Sequence, residues 1–310
     1  MTEHETQAPI HQSEGDTTIT ASTSVHHSFE IPESRIAGGR LQDDLRAIGV
    51  VWRRELIRFV RNRVRIITAL VQPILFLFVL GTGLSPIMRT GSHGFDFKTF
   101  LFPGILGMTV LFTAMFSAVS IVWDREFGFM REMLVAPVHR ASLVVGKCAG
   151  GATVATIQGA IIIVLAGLVG VPYSPVLIIT LLAEMALTAF GVTALGVTVA
   201  ARISQVESFQ FVMQLLVLPM FFLSGAVFPL ADLPQWLEVL TRIDPLTYAI
   251  APMRSAVFEH IKISPSLLKT LTPPITWDGW RVPLGLELGL IAIAAVALLL
   301  IAVIQFSRPE

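Results

Sequence analysis

Six apolar runs, each long enough to cross a bilayer, constrain this chain more than any other feature of its sequence. A helix needs about 20 consecutive apolar residues to cross roughly 30 Å of hydrocarbon. Hydrophobic residues make up 54% of the chain and charged residues only 14%, below the roughly 25% of soluble domains. The sequence therefore predicts an all-α integral membrane protein with six transmembrane helices. The runs lie near 66–88, 100–122, 142–170, 175–200, 208–230 and 284–306.

The sequence contains none of the short motifs that mark a hydrolytic, zinc or nucleotide site. His-Glu-x-x-His, Gly-x-Ser-x-Gly and the phosphate loop of ATPases are all absent. Gly146 and Lys147 come nearest to a phosphate loop, but Ala141 replaces its first glycine and Cys148 its final Ser or Thr. A formal net charge of zero gives no global field that would attract nucleic acid. We therefore predict a chain without catalytic residues, a metal site or a cofactor of its own.

The first 65 residues divide into a polar tail and an amphipathic helix. Residues 1–40 are rich in Thr, Ser, Glu and His and contain no signal-peptide core, which predicts a disordered cytoplasmic tail. Over 41–65, apolar residues recur with helical spacing opposite a face of arginines, which predicts an interface helix at the membrane surface. The positive flank of a first span would have the same composition, and both interpretations can hold. Residues 66–310 then form the transmembrane domain. The candidate interface residues are Trp52, Arg53, Arg54 and Arg58.

A charged stretch interrupts the apolar runs between the second and third predicted spans. Read as a helix over 124–138, it places Phe127, Met130 and Leu134 on one face. Acids at its start and bases at its end suit the helix dipole, and Pro137 ends it. We interpret this amphipathic surface helix as the place where the protein receives force from a partner.

Lysine and arginine are concentrated on one side of the predicted spans. Seven arginines between positions 46 and 65 precede the first span, and four basic residues lie in the loop after the second, whereas the turn after the third has none. By the positive-inside rule, both termini and the 124–138 helix are cytoplasmic. The segment 231–283 is then external. Its two short apolar helices, which begin near Asp232 and Asp244, are expected to be re-entrant.

Ionisable residues are rare within the predicted spans. Glu184 stands about eight residues into the fourth span, where a charge is costly and faces protein or water. It is either part of a polar substrate path or a helix–helix contact, and the sequence leaves both open. Glu287, which follows Pro283, is expected at the membrane interface.

Two extended motifs occur in a fixed order along the chain. The first is Asp124-Arg125-Glu126 with Gly128, Glu132, Leu134 and Pro137, followed by Gly146-Lys147. The second runs from Leu218-Pro219 through Phe222-Leu223-Ser224-Gly225, Phe228-Pro229, Leu233-Pro234 and Pro245-Leu246-Thr247-Tyr248 to Arg254. Through these motifs, residues 45–306 resemble the membrane subunits of ABC type 2 exporters, especially the antibiotic-resistance and nodulation-factor export branch.

The resemblance implies six spans with both ends inside, an interface helix, a cytoplasmic coupling helix and two re-entrant helices. It also implies a dimer with a second copy or a homologous permease, bound to ATPase subunits that hold ATP and Mg on separate chains. The departure at Phe129, Met130 and Arg131 could alter which ATPase is accepted. The residues it assigns to ATPase coupling are Asp124, Arg125, Glu126, Gly128, Arg131, Glu132 and Pro137. Candidates for the substrate path are Glu184, Phe102, Phe112, Phe116, Phe211, Phe221 and Phe222.

The leading hypothesis is an ATP-driven exporter in the bacterial plasma membrane that moves an amphiphilic drug, lipid or lipid-linked glycan out of the cell. Two alternatives stay open from the sequence. One is an ion-coupled secondary transporter with Glu184 as its proton carrier, although the internal repeats that such transporters often show are not clear here. The other is a non-transporting assembly partner of a homologous permease.

Overall fold

The computed structural model describes residues 41–89, 96–128, 139–231, 233–261, 268, 271–277 and 280–307. Within this part of the chain the structure is a helical bundle, which confirms the predicted all-α class. The strands among the described residues are β1 (Thr276–Trp277) and β2 (Trp280–Arg281), which pair as one short antiparallel hairpin. The helices are α1 (Leu41–Arg61), α2 (Arg63–Leu75), α3 (Gly81–Arg89), α4 (Phe97–Ser117), α5 (Val119–Glu126), α6 (Arg140–Ile163), α7 (Pro175–Ala200), α8 (Val206–Leu223), α9 (Gln235–Ile243), α10 (Pro245–Glu259) and α11 (Leu284–Ser307).

Five helical stretches of the described chain are long and apolar enough to cross a membrane. They are Arg63–Pro86, Phe97–Glu126, Pro175–Ala200, Val206–Leu223 and Leu284–Ser307. Helix α6, which covers most of the third predicted span, has 24 residues but includes the polar Lys147 and Gln158 and is not among the five. The six-span count therefore stays a prediction.

Helix α4 forms the centre of the bundle. Most of its side chains are buried, including Phe100, Phe102 and Leu106, and it packs against α2, α6, α7, α8 and α10. In contrast, α2, α8 and α11 keep long apolar faces exposed, with examples at Phe211 and Leu215. Such exposed apolar helices at the periphery are expected where lipid or another subunit takes the place of water.

The boundary between the predicted interface helix and the first span differs from the sequence-based one. Helix α1 ends at Arg61, and the Asn62 side chain accepts a hydrogen bond from the backbone N–H of Arg65, so that α2 begins at Arg63. Helices α2 and α3 are joined by a π-helical turn at Phe76–Leu80, which follows Pro73. Proline has no N–H to continue the helical ladder, and π-turns commonly absorb such interruptions.

The two short helices predicted before the last span are present as α9 and α10. Asp244 begins α10, and its carboxylate accepts a hydrogen bond from the backbone N–H of Leu246. Helix α10 packs against α4, α7 and α11, and most of its side chains are buried. The prediction that these helices dip into the membrane stays a prediction. The other predicted start residue, Asp232, and the predicted tail at 1–40 lie outside the described residues.

Candidate functional site

The motif residues Asp124, Arg125 and Glu126 form the last turn of α5, which continues α4 after a break at Ala118. The sequence predicted instead that a new helix starts at Asp124. The structure ends this helix at Glu126, because Gly128 takes a left-handed φ of 80° and its N–H donates to the Arg125 carbonyl. This arrangement is typical of a helix C-terminus. The coupling residues Arg131, Glu132 and Pro137 lie outside the described residues, as do Met130 and Leu134.

Asp124 is buried and binds cations from two other helices. Its Oδ2 accepts from Arg54 Nη2 on α1 at 3.0 Å and from Lys147 Nζ on α6 at 3.3 Å. Arg58 Nη2 lies 4.0 Å from the other carboxylate oxygen. A carboxylate that is taken out of water keeps its charge only when cations and hydrogen bonds replace the lost solvation. Asp124 therefore fixes the end of α5 against both α1 and α6.

Lys147 occupies the same buried site from the opposite side. Its Nζ lies 2.8 Å from Glu55 Oε1 and donates to Ser120 Oγ at 2.6 Å. Glu55 and Lys147 are each less than a tenth exposed. Three cations and two carboxylates from three helices thus share one site, which we call the ion-pair cluster. Its members are Arg54, Glu55, Arg58, Asp124 and Lys147.

Two glycines on α6 allow α1 to approach closely enough to form this cluster. A Cβ added at Gly146 would lie 2.8 Å from Val51 Cβ, and one at Gly150 would lie 2.8 Å from Glu55 Cβ. Real Cβ atoms do not approach other carbons this closely, so a larger residue would push α1 away. The short helix-to-helix distance places Glu55 within reach of Lys147, one helical turn from Gly150.

Arg125 and Glu126 contact α7 and α8, the two helices that follow α6 in the chain. Arg125 Nη1 donates to the carbonyls of Ala201 at 3.0 Å and Ile203 at 3.4 Å, at the C-terminal end of α7. Glu126 Oε2 accepts from the backbone N–H of Val206 at 3.0 Å, at the start of α8. A cation at a helix C-terminus and an anion at an N-terminus both suit the helix dipole. Three consecutive residues therefore link α5 to α1, α6, α7 and α8.

The chain is also anchored where it re-enters the described structure at His139. Ser142 Oγ donates to Asp44 Oδ1 at 2.8 Å, and His139 Nε2 lies 4.0 Å from Asp44 Oδ2. Arg140 Nη1 donates to the Phe306 carbonyl at 2.9 Å, near the end of α11. Both flanks of the 129–138 segment are thus attached to helix ends of the bundle.

Three of the four predicted interface residues contact other helices instead of facing outward alone. Arg54 and Arg58 belong to the ion-pair cluster, and Trp52 Nε1 donates to Thr153 Oγ1 on α6 at 3.0 Å. Arg53 is exposed. The buried face of α1 is formed by Val51, Glu55 and Phe59. Part of the apolar face that the sequence predicts, including Trp52, is exposed instead. Its location in a membrane interface stays a prediction.

The aromatic residues predicted for the cargo path fall into three different environments. Phe102 and Phe221 are fully buried, whereas Phe211 and Phe222 are exposed on α8. The remaining two, Phe112 and Phe116, are half-buried, and their rings are stacked with centroids 6.4 Å apart. A single chain does not bring the six together, and their role in cargo contact stays a prediction.

Glu184 lies in the N-terminal half of α7, away from the ion-pair cluster. It is buried, and its Oε2 has no hydrogen-bond partner within the described part of the chain. Two further acids, Glu259 and Glu287, are close enough to repel its charge. Glu287 is buried as well, and its predicted location at the membrane interface stays a prediction. We call Glu184, Glu259 and Glu287 the acidic cluster; no group within the described ranges has the arrangement of a metal site.

Sequence reasoning did not assign Glu55 and Lys147 to the site. Each nevertheless left a signal, because Glu55 is an acid on a helix otherwise rich in arginine, and Lys147 stands inside an apolar run. An isolated charge inside an apolar run usually has a partner of opposite sign. The sequence gives no means of deciding which helix carries that partner.

Comparison with known proteins places the chain in a family. The model of the ABC-2 type transporter family matches residues 46–258, more than half of the chain. Nodulation protein J of Rhizobium leguminosarum bv. trifolii is 31% identical over 215 residues, 68% of this chain and 80% of that protein. A putative transport permease, ycf38, of Cyanophora paradoxa is 29% identical over 209 residues, 66% and 72% of the two chains.

A third relative covers more of the chain. The probable doxorubicin resistance ABC transporter permease protein DrrC of Mycobacterium tuberculosis is 26% identical over 250 residues, 79% of this chain and 90% of that protein. The family match covers the whole ion-pair cluster, α1 from residue 46 onward and α10 up to residue 258. With its apolar helices and these relatives, the chain belongs to the ABC-2 type transporter family, as a membrane-embedded transport permease.

Proposed function

We propose that this chain is the membrane subunit of an ATP-driven exporter whose ATP is hydrolysed on separate ATPase subunits. Permeases of this family normally work with ABC ATPase partners, and two relatives are named for nodulation and for doxorubicin resistance. In this proposal the protein spans the bacterial plasma membrane with both termini in the cytoplasm. ATP and Mg bind to the partner ATPase.

The observation that carries the proposal is the set of contacts made by Asp124, Arg125 and Glu126. Because Asp124 contacts α1 and α6, and Arg125 and Glu126 contact the adjoining ends of α7 and α8, a displacement of α5 is expected to move these four helices together. The adjoining 129–138 segment is the predicted coupling helix. A push from an ATPase on that segment would then be distributed to most of the bundle within one helical turn.

The proposed cargo is an amphiphilic drug, lipid or lipid-linked glycan. Its support is the exposed apolar face of α8, where Phe211 and Leu215 are each 76% exposed and Phe222 is 44% exposed. In the proposed dimer with a second copy or a homologous permease, this face would line or cover the path between the subunits. A chain that co-purifies only with a different permease and carries no cargo alone would instead be an assembly partner.

The coupling proposal is tested with the chain co-reconstituted with its ATPase in proteoliposomes. Arg125→Ala and Glu126→Ala remove the contacts to α7 and α8, and we expect each to lower export of a fluorescent amphiphile at least tenfold per ATP hydrolysed. The matched control is Arg202→Ala, because Arg202 is exposed in the same α7–α8 turn. Full export in both Arg125→Ala and Glu126→Ala would refute the proposal.

The acidic cluster supports a second candidate, an ion-coupled transporter with Glu184 as its proton carrier. Two buried acids close together are a common arrangement in proton-driven transporters. Vesicles that contain the chain without any ATPase distinguish the two candidates. Uptake driven by a pH gradient alone and abolished by Glu184→Gln would favour ion coupling. Export that requires ATP and the ATPase chain would favour the leading proposal.

A further inference from the structure

A second polar site borders the ion-pair cluster, in a cavity of about 270 Å³ bounded by α1, α2, α4 and α6. One wall is formed by the polar face of α2 and the opposite wall by α4 and α6. Its main lining residues are Phe59, Arg65, Thr68, Gln72, Phe112 and Gln158. Polar side chains at this depth in a membrane protein are costly, so each needs a partner.

Gln158 has one unmet hydrogen-bonding capacity in this cavity. The residue is 1% exposed, and its Oε1 accepts from Thr113 Oγ1 at 2.9 Å. Its Nε2 has no partner among the described residues. An amide nitrogen carries two N–H donors, and leaving them unpaired in a buried site costs free energy. The missing partner is therefore a hydrogen-bond acceptor.

Arg65 brings a positive charge to the same cavity. It is half-buried, and its Nη2 donates one 3.4 Å hydrogen bond to the Phe116 carbonyl. Glu55 attracts its charge and Arg58 repels it, but no described carboxylate lies at salt-bridge distance from Arg65. A guanidinium has five N–H donors and prefers planar or tetrahedral oxyanions. Thr68 and Gln72 follow at i+3 and i+7 on the same face of α2 and are exposed, so the cavity is open to the outside of the bundle.

The size of the cavity and its surroundings favour a headgroup over a whole drug-sized molecule. Pockets for drug-sized ligands measure about 300–1,000 Å³, and this cavity lies just below the lower limit of that range. Next to its polar face, α2 presents Ile67, Val71 and Leu75, each about half exposed or more. These residues form an apolar stripe along the helix, on which an acyl chain can lie.

We propose that this cavity binds the phosphate headgroup of a membrane phospholipid, with Arg65 and Gln158 Nε2 donating to phosphate oxygens and an acyl chain lying along α2. This site is separate from the ATPase coupling site, and its occupancy requires neither ATP nor cargo. A failure of the coupling experiment therefore leaves it unaffected, and the reverse also holds.

The test is native mass spectrometry of the full purified chain after exchange into phosphatidylglycerol or into monogalactosyldiacylglycerol, which has no phosphate. We expect preferential retention of phosphatidylglycerol. Arg65→Gln should lower its affinity about tenfold, equivalent to roughly 1.4 kcal/mol, and Gln158→Leu about threefold. The matched control Arg63→Gln removes an exposed arginine from the same helical turn and should change nothing.

Each variant is first checked for a monodisperse peak in size-exclusion chromatography. If Gln158→Leu fails that check, Arg65→Gln alone tests the proposal, because the Arg65 side chain is only half-buried and its replacement should leave the fold intact. Equal retention of the two lipids, or unchanged affinity in Arg65→Gln, would overturn the proposal. Inorganic phosphate that displaces the phospholipid at millimolar concentration would overturn the lipid assignment in favour of a free-phosphate site.

Discussion

The ion-pair cluster and the acidic cluster both contain buried carboxylates, but only the first contains opposite charges that offset the free-energy cost of burial. In the ion-pair cluster, Asp124 and Glu55 are surrounded by cations from α1 and α6, with the shortest ion pair at 2.8 Å. In the acidic cluster, Glu184 and Glu287 are buried near a third acid and repel each other. The two clusters lie toward different ends of α7: Arg125, the neighbour of Asp124 in the chain, contacts the C-terminal end of that helix, whereas Glu184 lies in its N-terminal half.

This difference indicates two different roles for charge. Paired charges with satisfied geometry hold helices at fixed positions, and removing one partner leaves the other uncompensated. Like charges in a buried site destabilise the folded state and persist where a function requires them. The comparison therefore predicts opposite signs for neutralising mutations at the two clusters, and the following experiments test those signs.

The largest expected effect is at Lys147. Lys147→Met removes the closest cation of the buried Glu55 and one of the cations of Asp124, and we expect a loss of about 4 kcal/mol in the free energy of unfolding. Thermal unfolding in detergent, followed by size-exclusion chromatography, measures it. The control Lys98→Met removes a more exposed ion pair of 3.9 Å to Asp96 and should cost less than about 1 kcal/mol.

A double variant sharpens the same test. Adding Glu55→Gln to Lys147→Met removes the carboxylate that has lost its closest cation, so part of the lost stability should return. Equal stability of Lys147→Met and the native chain would show that the ion-pair cluster does not hold α1 against α6.

An intermediate effect is expected at Asp244, a buried carboxylate at the start of α10 with no described cation at salt-bridge distance. Burial raises the pKa of Asp244 to about 7, against the hydrogen bonds from Leu246 and Thr247, which lower it. The folded state then holds a proton that the unfolded state releases near pH 4, so stability should fall as pH rises from about 4 to 7. The rise of the pKa from 3.8 to about 7 sets an upper bound of roughly 4 kcal/mol on this loss.

Asp244→Asn should remove this part of the pH dependence while it keeps the helix cap, because Asn is also a good N-cap residue. The measurement is the thermal midpoint between pH 4 and 8. Asp96→Asn is the matched control, since Asp96 caps α4 but has Lys98 beside it. If Asp244→Asn kept the native dependence of stability on pH, the raised pKa of Asp244 would not be its cause.

The smallest expected change in the free energy of unfolding is at Glu184. Its sign is opposite to that of Lys147→Met. Glu184→Gln keeps the side-chain shape and removes a like charge, and its Oε2 has no described hydrogen bond to lose. We expect a gain of about 1 kcal/mol at pH 8. Glu207→Gln, at an exposed site in the first turn of α8, should be neutral. A clear loss of stability in Glu184→Gln would mean that this carboxylate has a stabilising partner.

The sequence supported the fold class and most helix positions because both depend on local pattern. The apolar run at 175–200 became α7 with the same bounds, since Pro175 begins it and polar residues follow Ala200. Turns were harder to predict. The charged stretch after Trp123 did not reveal that Asp124 to Glu126 close the preceding helix, because their partners Arg54, Ala201 and Val206 are distant along the chain.

The candidate site divides in the same way. Arg54, Arg58 and Asp124 were chosen from separate local patterns, as surface charges of two amphipathic helices. That they share one buried cluster with Glu55 and Lys147 depends on Gly146 and Gly150, which let α1 and α6 approach. Spacing along one helix reports which residues share a face, but it does not report which helix lies opposite.

By itself, the sequence determined that this protein is an all-α membrane permease of its family, because apolar run length and motif order are local properties of the chain. The tertiary structure alone decided which charges meet. It paired Asp124 and Glu55 with cations, left Glu184 and Glu287 as neighbouring acids, and brought Arg65 and Gln158 to the lining of one cavity. The physical reason is that the energy of a buried charge depends on the groups around it, and packing between distant helices determines those groups.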